Sequence, residues 1–581
     1  MRPASIPASR LLLALAVSAA ALTGCGGSSH TLATSADPAS AIPASAALYA
    51  GATVRPQGAQ STEALAAGAA LTGQANPYLR LLAALQTPGS PTLDYKRDIA
   101  PWLGPHAGVY LNSMDAAAPL TTMLQRGLLG ESSATGAFPL GTGVADGAIV
   151  LDTSDAAKAR SFLDTQASHA GARATSYRGF AYKLSAAGIA FGIVKRFAVI
   201  GSETGMHGVI DTALGGPALT RASGYAKLLA AAPAKALAHI YSNPAAAAAA
   251  TAKPSSGSQE GLAGVLGLLS SEREANISLI ASAGSLALDA DTLTGSASGA
   301  EGLLSSDPRA AQALAELPGE SWLAIGLSDV GAGLPADIQG LRALGSLAAT
   351  PGGPTGVEAP VGSTLNIKSL LAGMLAPLNA MGAPTARAKR TFASWMGSGG
   401  IFVAGANLLE LKAGVVIESK NPARSHAAVA ALATQLRKAG ARVEPTSIAG
   451  TDAAVAARLT GLPVVLDIAN GQDSSGHTKF ILGFGEPSVT AALNPASTLS
   501  SATSRSAAAA TIGEGAQPSI LTDFPTLLSL LEGVGLTEDP SVSKFVSYLR
   551  ALTTLAGGGH SLGGEIQRYR LVTGLQSAPA G

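Results

Sequence analysis

The chain has 581 residues, 47% hydrophobic and 13% charged, a composition that forms packed cores and excludes an intrinsically disordered protein. Its formal net charge of +1 excludes the basic stripe of a nucleic-acid binder, and its single cysteine excludes an internal disulfide framework. Aromatics make up only 4% of the residues, so the cores are expected to be built mainly from small aliphatic side chains.

In chain order, the N-terminus reads as an export segment. Arg2 and Arg10 give it a positive start, and residues 11–21 (LLLALAVSAAA) form an apolar run too short for a bilayer core, which needs roughly 20 residues. Residues 22–25 (LTGC) then resemble a bacterial lipobox. That resemblance implies cleavage before Cys25 and a diacylglycerol thioether on it, often with a further acyl chain on the new amine. Two chains make a stable anchor where one holds only marginally. Losing residues 1–24 removes Arg2 and Arg10, which leaves 36 basic against 37 acidic residues. The small, polar residues 25–40 are expected to act as a flexible tether with a reach of roughly 20 Å. No later window offers the apolar run that a membrane helix requires, so the lipid is the expected membrane contact.

Self-comparison of the remainder points to an internal duplication. Residues 96–104 (KRDIAPWLG) meet residues 389–397 (KRTFASWMG) without a gap, a shift of 293 residues that superposes Trp102 on Trp395. Each block runs into an apolar segment, 108–111 and 401–404, expected to be a strand. Upstream, Ile42-Pro43 parallels Leu317-Pro318; downstream, residues 149–152 (IVLD) parallel 415–418 (VVIE). A helix follows in both copies, with Ala159, Phe162, Leu163 and Gln166 on one face in the first, and Val429, Leu432, Ala433 and Leu436 in the second. Ser154-Asp155 and Asn421-Pro422 have the composition of their N-terminal caps.

Period-two alternation then marks an antiparallel meander with one buried face. Its strands carry Phe180, Tyr182 and Leu184, then Ile189, Phe191 and Ile193, then Phe197 and Val199. The second copy has Val464, Leu466 and Ile468, then Phe480, Leu482 and Phe484. Residues 276–298 and 560–574 read as closing hairpins. The expected fold is therefore α+β. It is a tandem duplication, 41–315 followed by 316–581, each half an antiparallel sheet with helices packed on one face, and with insertions near 245–258 and 350–362. The opening residues 43–50 (PASAALYA), the Trp102 block and the strand–helix–meander order are similar to the DUF3352 family of uncharacterised bacterial proteins, which often carry lipoprotein signals. That resemblance covers most of the chain and implies no reaction, cofactor or partner.

Several segments imitate catalytic or binding motifs. Residues 559–563 (GHSLG) fit G-x-S-x-G, but a helical pattern precedes them and no His or Asp follows Ser561, whereas a hydrolase needs both after its serine. They are expected to form a glycine-rich loop between a helix and the last hairpin. His30, His106, His169, His207, His239, His426, His477 and His560 are scattered, without the short spacing of a zinc site. Residues 289–295 (DADTLTG) lack the third oxygen ligand and distal glutamate of a calcium loop. Residues 141–146 (GTGVAD) place Asp146 where a dinucleotide fingerprint needs glycine. Trp102 and Trp395 could line a pocket in each half, but core anchoring fits their apolar flanks better. The expectation is a non-catalytic, extracytoplasmic lipoprotein of interaction or scaffold type, with no catalytic or metal-ligating residues and no cofactor. Its expected partners are the membrane, through Cys25, and an unidentified protein or lipid, with no nucleic acid. The alternatives are a carrier of an apolar ligand such as a lipid, and an enzyme whose site is assembled from distant residues.

Overall fold

The computed structural model describes residues 36–72, 94–113, 146–246, 274–282, 284–293, 305–335, 337–338, 376–383, 385–407, 410–459, 465–513, 515–533, 535–538 and 540–576. The export segment, Cys25, tether residues up to 35, residues 141–145 and nearly all of both insertions lie outside the described residues. The chain divides into two compact units, Met1–Gly295 with Ser577–Gly581, and Ser296–Gln576. Each combines helices with an antiparallel sheet, an α+β fold.

In unit 1 the elements are β1 (Leu48–Thr53), α1 (Gly58–Thr72), β2 (Leu103–Leu111), β3 (Gly147–Thr153), α2 (Ala156–His169), β4 (Arg173–Tyr177), β5 (Phe180–Leu184), β6 (Ile189–Val194), β7 (Phe197–Ser202), α3 (Glu203–Ala213), α4 (Ser223–Ala231), β8 (Ala238–Ser242), β9 (Ala275–Ser282) and β10 (Ser285–Leu293). The strands pair antiparallel in the order β4-β5-β6-β7-β3-β2-β1-β8-β9-β10. Local chemistry sets the boundaries. The Asp155 carboxylate accepts from the N–H groups of Ala157 and Lys158 at 3.1 and 3.0 Å and so starts α2. Arg178 and Gly179 both adopt positive φ, +48° and +87°, the twist that a two-residue hairpin turn between β4 and β5 needs.

Both faces of this sheet are buried, where the alternation predicted one. Ile149 and Leu151 of β3 pack with Trp102, Phe162, Leu163 and Ile200 beneath α2. Ala148 and Val150 point the other way, into a core with Val199, Met206, Val209, Tyr225 and Leu228 under α3 and α4. The unbroken apolar run 149–151 carried that signal, since a strand covered on both sides needs no polar alternate.

Unit 2 contains α5 (Pro308–Ala315), β11 (Ser321–Leu327), β12 (Met396–Ala404), β13 (Lys412–Ser419), α6 (Pro422–Lys438), β14 (Arg442–Pro445), β15 (Thr451–Arg458), β16 (Val465–Gln472), β17 (Thr478–Phe484), α7 (Glu486–Leu493), α8 (Thr503–Ile512), β18 (Ile520–Asp523), α9 (Phe524–Gly533), α10 (Pro540–Ala551), β19 (Leu552–Gly563) and β20 (Ile566–Leu575). Its strand order is β14-β15-β16-β17-β13-β12-β11-β18-β19-β20. Helix α6 covers a core with Trp395, Ile417 and Phe480, and α7 packs against β13 and β17. Strand β15 has no period-two signal in the sequence, because TDAAVAAR sets adjacent alanine pairs around one valine. The last hairpin begins at Leu552, not at residue 560, so Gly559 to Gly563 are the end of strand β19 rather than a loop before the hairpin.

The two tryptophans are core residues, 1% and 0% exposed. Each follows a π-helical turn, Tyr95–Ile99 or Lys389–Ala393, and its indole N–H donates to a carbonyl four residues back: Trp102 to Asp98 at 2.8 Å and Trp395 to Thr391 at 2.9 Å. The rings then meet Phe162 and Phe480 at centroid distances of 5.2 and 5.0 Å. Trp102→Ala and Trp395→Ala are each expected to cost about 3–5 kcal/mol in chemical denaturation. A loss below about 1 kcal/mol would contradict the core assignment.

Candidate functional site

The richest cluster of polar and aromatic side chains in unit 1 lies where the chain enters the fold. Residues 36–40, expected to end the tether, are instead packed into the unit. Asp37 accepts from the Ala39 N–H at 2.9 Å and caps a 3-10 turn, Pro38–Ala41, in which Pro38, Ala39 and Ala41 are buried. The segment is then stitched down by Ala44 N–H to Pro217 O at 2.9 Å and Leu219 N–H to Ile42 O at 2.8 Å. A residue whose neighbours are fixed in this way belongs to the body, not to the tether.

Beneath the turn, the Tyr49 hydroxyl lies near the Asp37 carboxylate. Burial, reinforced by that negative charge, pushes the Tyr49 phenol well above its ordinary range, so it stays a neutral donor. Tyr49 meets the edge of Tyr225 at 5.9 Å and of His239 at 5.5 Å, and Tyr225 meets Tyr241 at 5.1 Å. The Tyr225 hydroxyl lies 3.3 Å from His239 Nε2. Two glycines make room: a Cβ on Gly51 would fall 2.6 Å from the His239 ring, and one on Gly108 would fall 2.7 Å from the Tyr49 ring. Burial lowers the His239 pKa, opposed by Asp37 and assisted by the neighbouring His106.

Asp152, fully buried at the end of β3, accepts from Arg196 on one oxygen, Oδ1, with Nη2 at 2.6 Å and Nε at 2.8 Å. Burial outweighs the guanidinium and holds the carboxyl above its ordinary pKa, and its Oδ2 meets no hydrogen-bond donor among the described residues. Ala36 lies beside this carboxylate, and the turn that follows it is capped by Asp37. At the matching register in unit 2, Ala324 pairs with Leu521 where Tyr49 pairs with Tyr241, and Ser519 stands where β8 carries His239. Among the described residues, the aromatic network is confined to unit 1.

A second cluster joins α3 to the β4–β5 hairpin. Tyr182 O–H lies 3.1 Å from Glu203 Oε1 and 2.9 Å from His207 Nε2; Tyr177 stacks on His207 at 3.7 Å, and Arg178 Nη1 reaches Asp211 at 2.6 Å. Burial and Glu203 push the Tyr182 phenol up to about 12. Every member is occupied by another, so the cluster reads as a clamp on the hairpin.

Cys25 lies outside the described residues. Trp102 and Trp395 are core. Ser561 is exposed, at the tip of the last hairpin, where its hydroxyl accepts from the Gly563 N–H. Residues 289–293 are in strand β10, and among the described residues no group of three acidic, His or Cys ligands converges on a metal position. Asp37 and Tyr49 were missed. The available signal was the Asp-Pro pair that precedes each half, Asp37-Pro38 and Asp307-Pro308, since Asp307 likewise caps α5 through the Arg309 N–H at 2.9 Å. The family model described as "Protein of unknown function (DUF3352)" matches residues 7–558, and the chain belongs to that family. No curated protein and no solved structure matches it.

Two outcomes test the junction. Tyr49→Phe is expected to cost about 1–2 kcal/mol and to speed proteolysis around residues 36–42. The lowered His239 pKa means that the unfolded state binds more protons once the pH drops below about 6.5. Unit 1 should therefore lose stability between pH 7 and pH 5, and His239→Gln should flatten that slope. An unchanged slope would contradict the assignment.

Proposed function

We propose that this member of the DUF3352 family is an exported lipoprotein, held at the outer face of a membrane by acyl chains on Cys25, that works as a non-catalytic scaffold. Its body arises by tandem duplication, the halves being residues 41–315 and 316–581 as read from the sequence. The duplication draws support from strand orders that match position for position and from the two Trp blocks with the same indole-to-carbonyl bond. It also draws support from two isolated bridges, Pro43 to Ala218 and Pro318 to Thr498, at like places in the two units. With Asp37-Pro38 and Asp307-Pro308 as matching starts, the repeat extends a few residues upstream of the Trp-based alignment on both sides.

The observation that carries the scaffold reading is the filled interior. A carrier of an apolar ligand needs a chamber of several hundred Å³. In both units the side chains of the central strands, which could line such a chamber, are packed against helices. A crevice in unit 2 lined by Ser398, Glu418 and Lys479 holds about 20 Å³, room for about one water. By contrast, the outer face of α2, along Arg160, Ser161, Asp164 and Thr165, is polar and open.

Among the described residues no helix is long and apolar enough to cross a membrane, which leaves the anchoring role to Cys25 in this reading. Mass spectrometry of the protein extracted under native conditions tests it. The expected mature chain starts at Cys25, carries two or three acyl chains there and holds no other lipid. A start upstream of Cys25 would overturn the anchor, and a stoichiometric co-purifying lipid would favour the carrier. Cys25→Ser is expected to release the protein from the membrane fraction.

A further inference from the structure

The end of unit 1 at which the chain enters is built from one set of strand ends. Leu103 pairs with Thr153, and Asp152 pairs with Phe197. The Ser154 N–H donates to Trp102 O, and Arg55, just beyond β1, donates to Leu103 O at 2.9 Å. Ala36 meets this end at Asp152. From Cys25 to Ala36 there are eleven residue steps, which span at most about 40 Å even when fully extended. A lipid on Cys25 therefore holds this end within about 40 Å of the bilayer.

The charge at that end matches such a neighbour. Lys96, Arg160 and Lys195 are exposed and carry no ion pair among the described residues; of the acidic residues here, Asp98, Asp152 and Asp155 are each taken up by a basic partner, and only the turn-capping Asp37 and Asp94 are exposed without one. Lys195 is presented at the tip of the β6–β7 turn, where its backbone has φ +54°.

We propose that this end of unit 1 docks on the bilayer surface, with Lys96, Arg160 and Lys195 against anionic lipid headgroups, so that the lipoprotein has a fixed orientation rather than swinging on its tether. The proposal rests on the lipid anchor proposed above. Each basic side chain near an anionic surface is worth about a fivefold change in the docked population, and the effect is screened within about one Debye length.

The test uses the full lipidated chain in vesicles of phosphatidylcholine with about one-third phosphatidylglycerol. Fluorophores are placed at Ala157→Cys, beside the junction, or at Ala187→Cys, in the β5–β6 turn at the opposite sheet end, roughly 20 Å away. Quenching by nitroxide-headgroup lipid is expected to be at least threefold stronger at position 157. The contrast should collapse in pure phosphatidylcholine, in high salt and with Lys96→Glu/Lys195→Glu, whose exposed positions leave folding intact. Equal quenching at the two positions, or a contrast indifferent to lipid charge and to the double variant, overturns the docking. A chain that does not float with vesicles at all overturns the anchor itself, and this orientation with it.

Discussion

The structure depends on burying the middle of each sheet from both sides. Strand β3 is buried along its whole length, and its neighbours β2 and β7 nearly so. A strand in that position cannot leave one face to water, so helices must cover both, and each unit supplies them from the segments that connect its strands. In unit 1, α2 follows β3 and covers one face; α3 and α4 follow β7 and cover the other. Fully burying an aliphatic or aromatic side chain contributes about 1.5–3 kcal/mol. Alternate residues of the same strand contribute to different cores.

That constraint also explains the placement of chemistry. With both faces closed, polar groups gather at the strand ends and around the chain's entry. Asp37, Asp152, Arg196, Tyr49 and His239 sit at that border, where each carboxylate finds a donor and each ring finds a packed neighbour. The same border in unit 2 is apolar at the corresponding strand positions, Ala324 and Leu521. If the halves descend from one ancestor, the first has kept or gained a polar network around its entering segment at positions where the second carries Ala324 and Leu521.

How far the sequence disclosed this varied by residue type. The Trp102 and Trp395 blocks, the caps Asp155 and Asn421, and the meanders were legible because they rest on large side chains and on local hydrogen bonding. Strand β15 was not, because adjacent alanine pairs around Val455 carry no period-two hydrophobic contrast. The second covering layer was hidden because the alternation of the meander points to one buried face and only the continuous run at 149–151 points to two. The junction was the least legible part. Tyr49 and Tyr241 are 192 positions apart and meet only through the β1–β8 register, and the small residues 36–41 look like a linker until their burial is seen. The α3 clamp was hidden for the same reason, since Tyr182 and His207 belong to different elements.

Hydrogen exchange on the full-length protein tests the central claim, that the sheets are closed on both faces and the chain is gripped from residue 36 onward. The account predicts that amides of the central strands β3 and β13 exchange slowest in their units, that the edge strands β4 and β14 exchange faster, and that protection begins abruptly at Ala39. Central strands exchanging as fast as the edges, or a chain unprotected through Ile42, would contradict it.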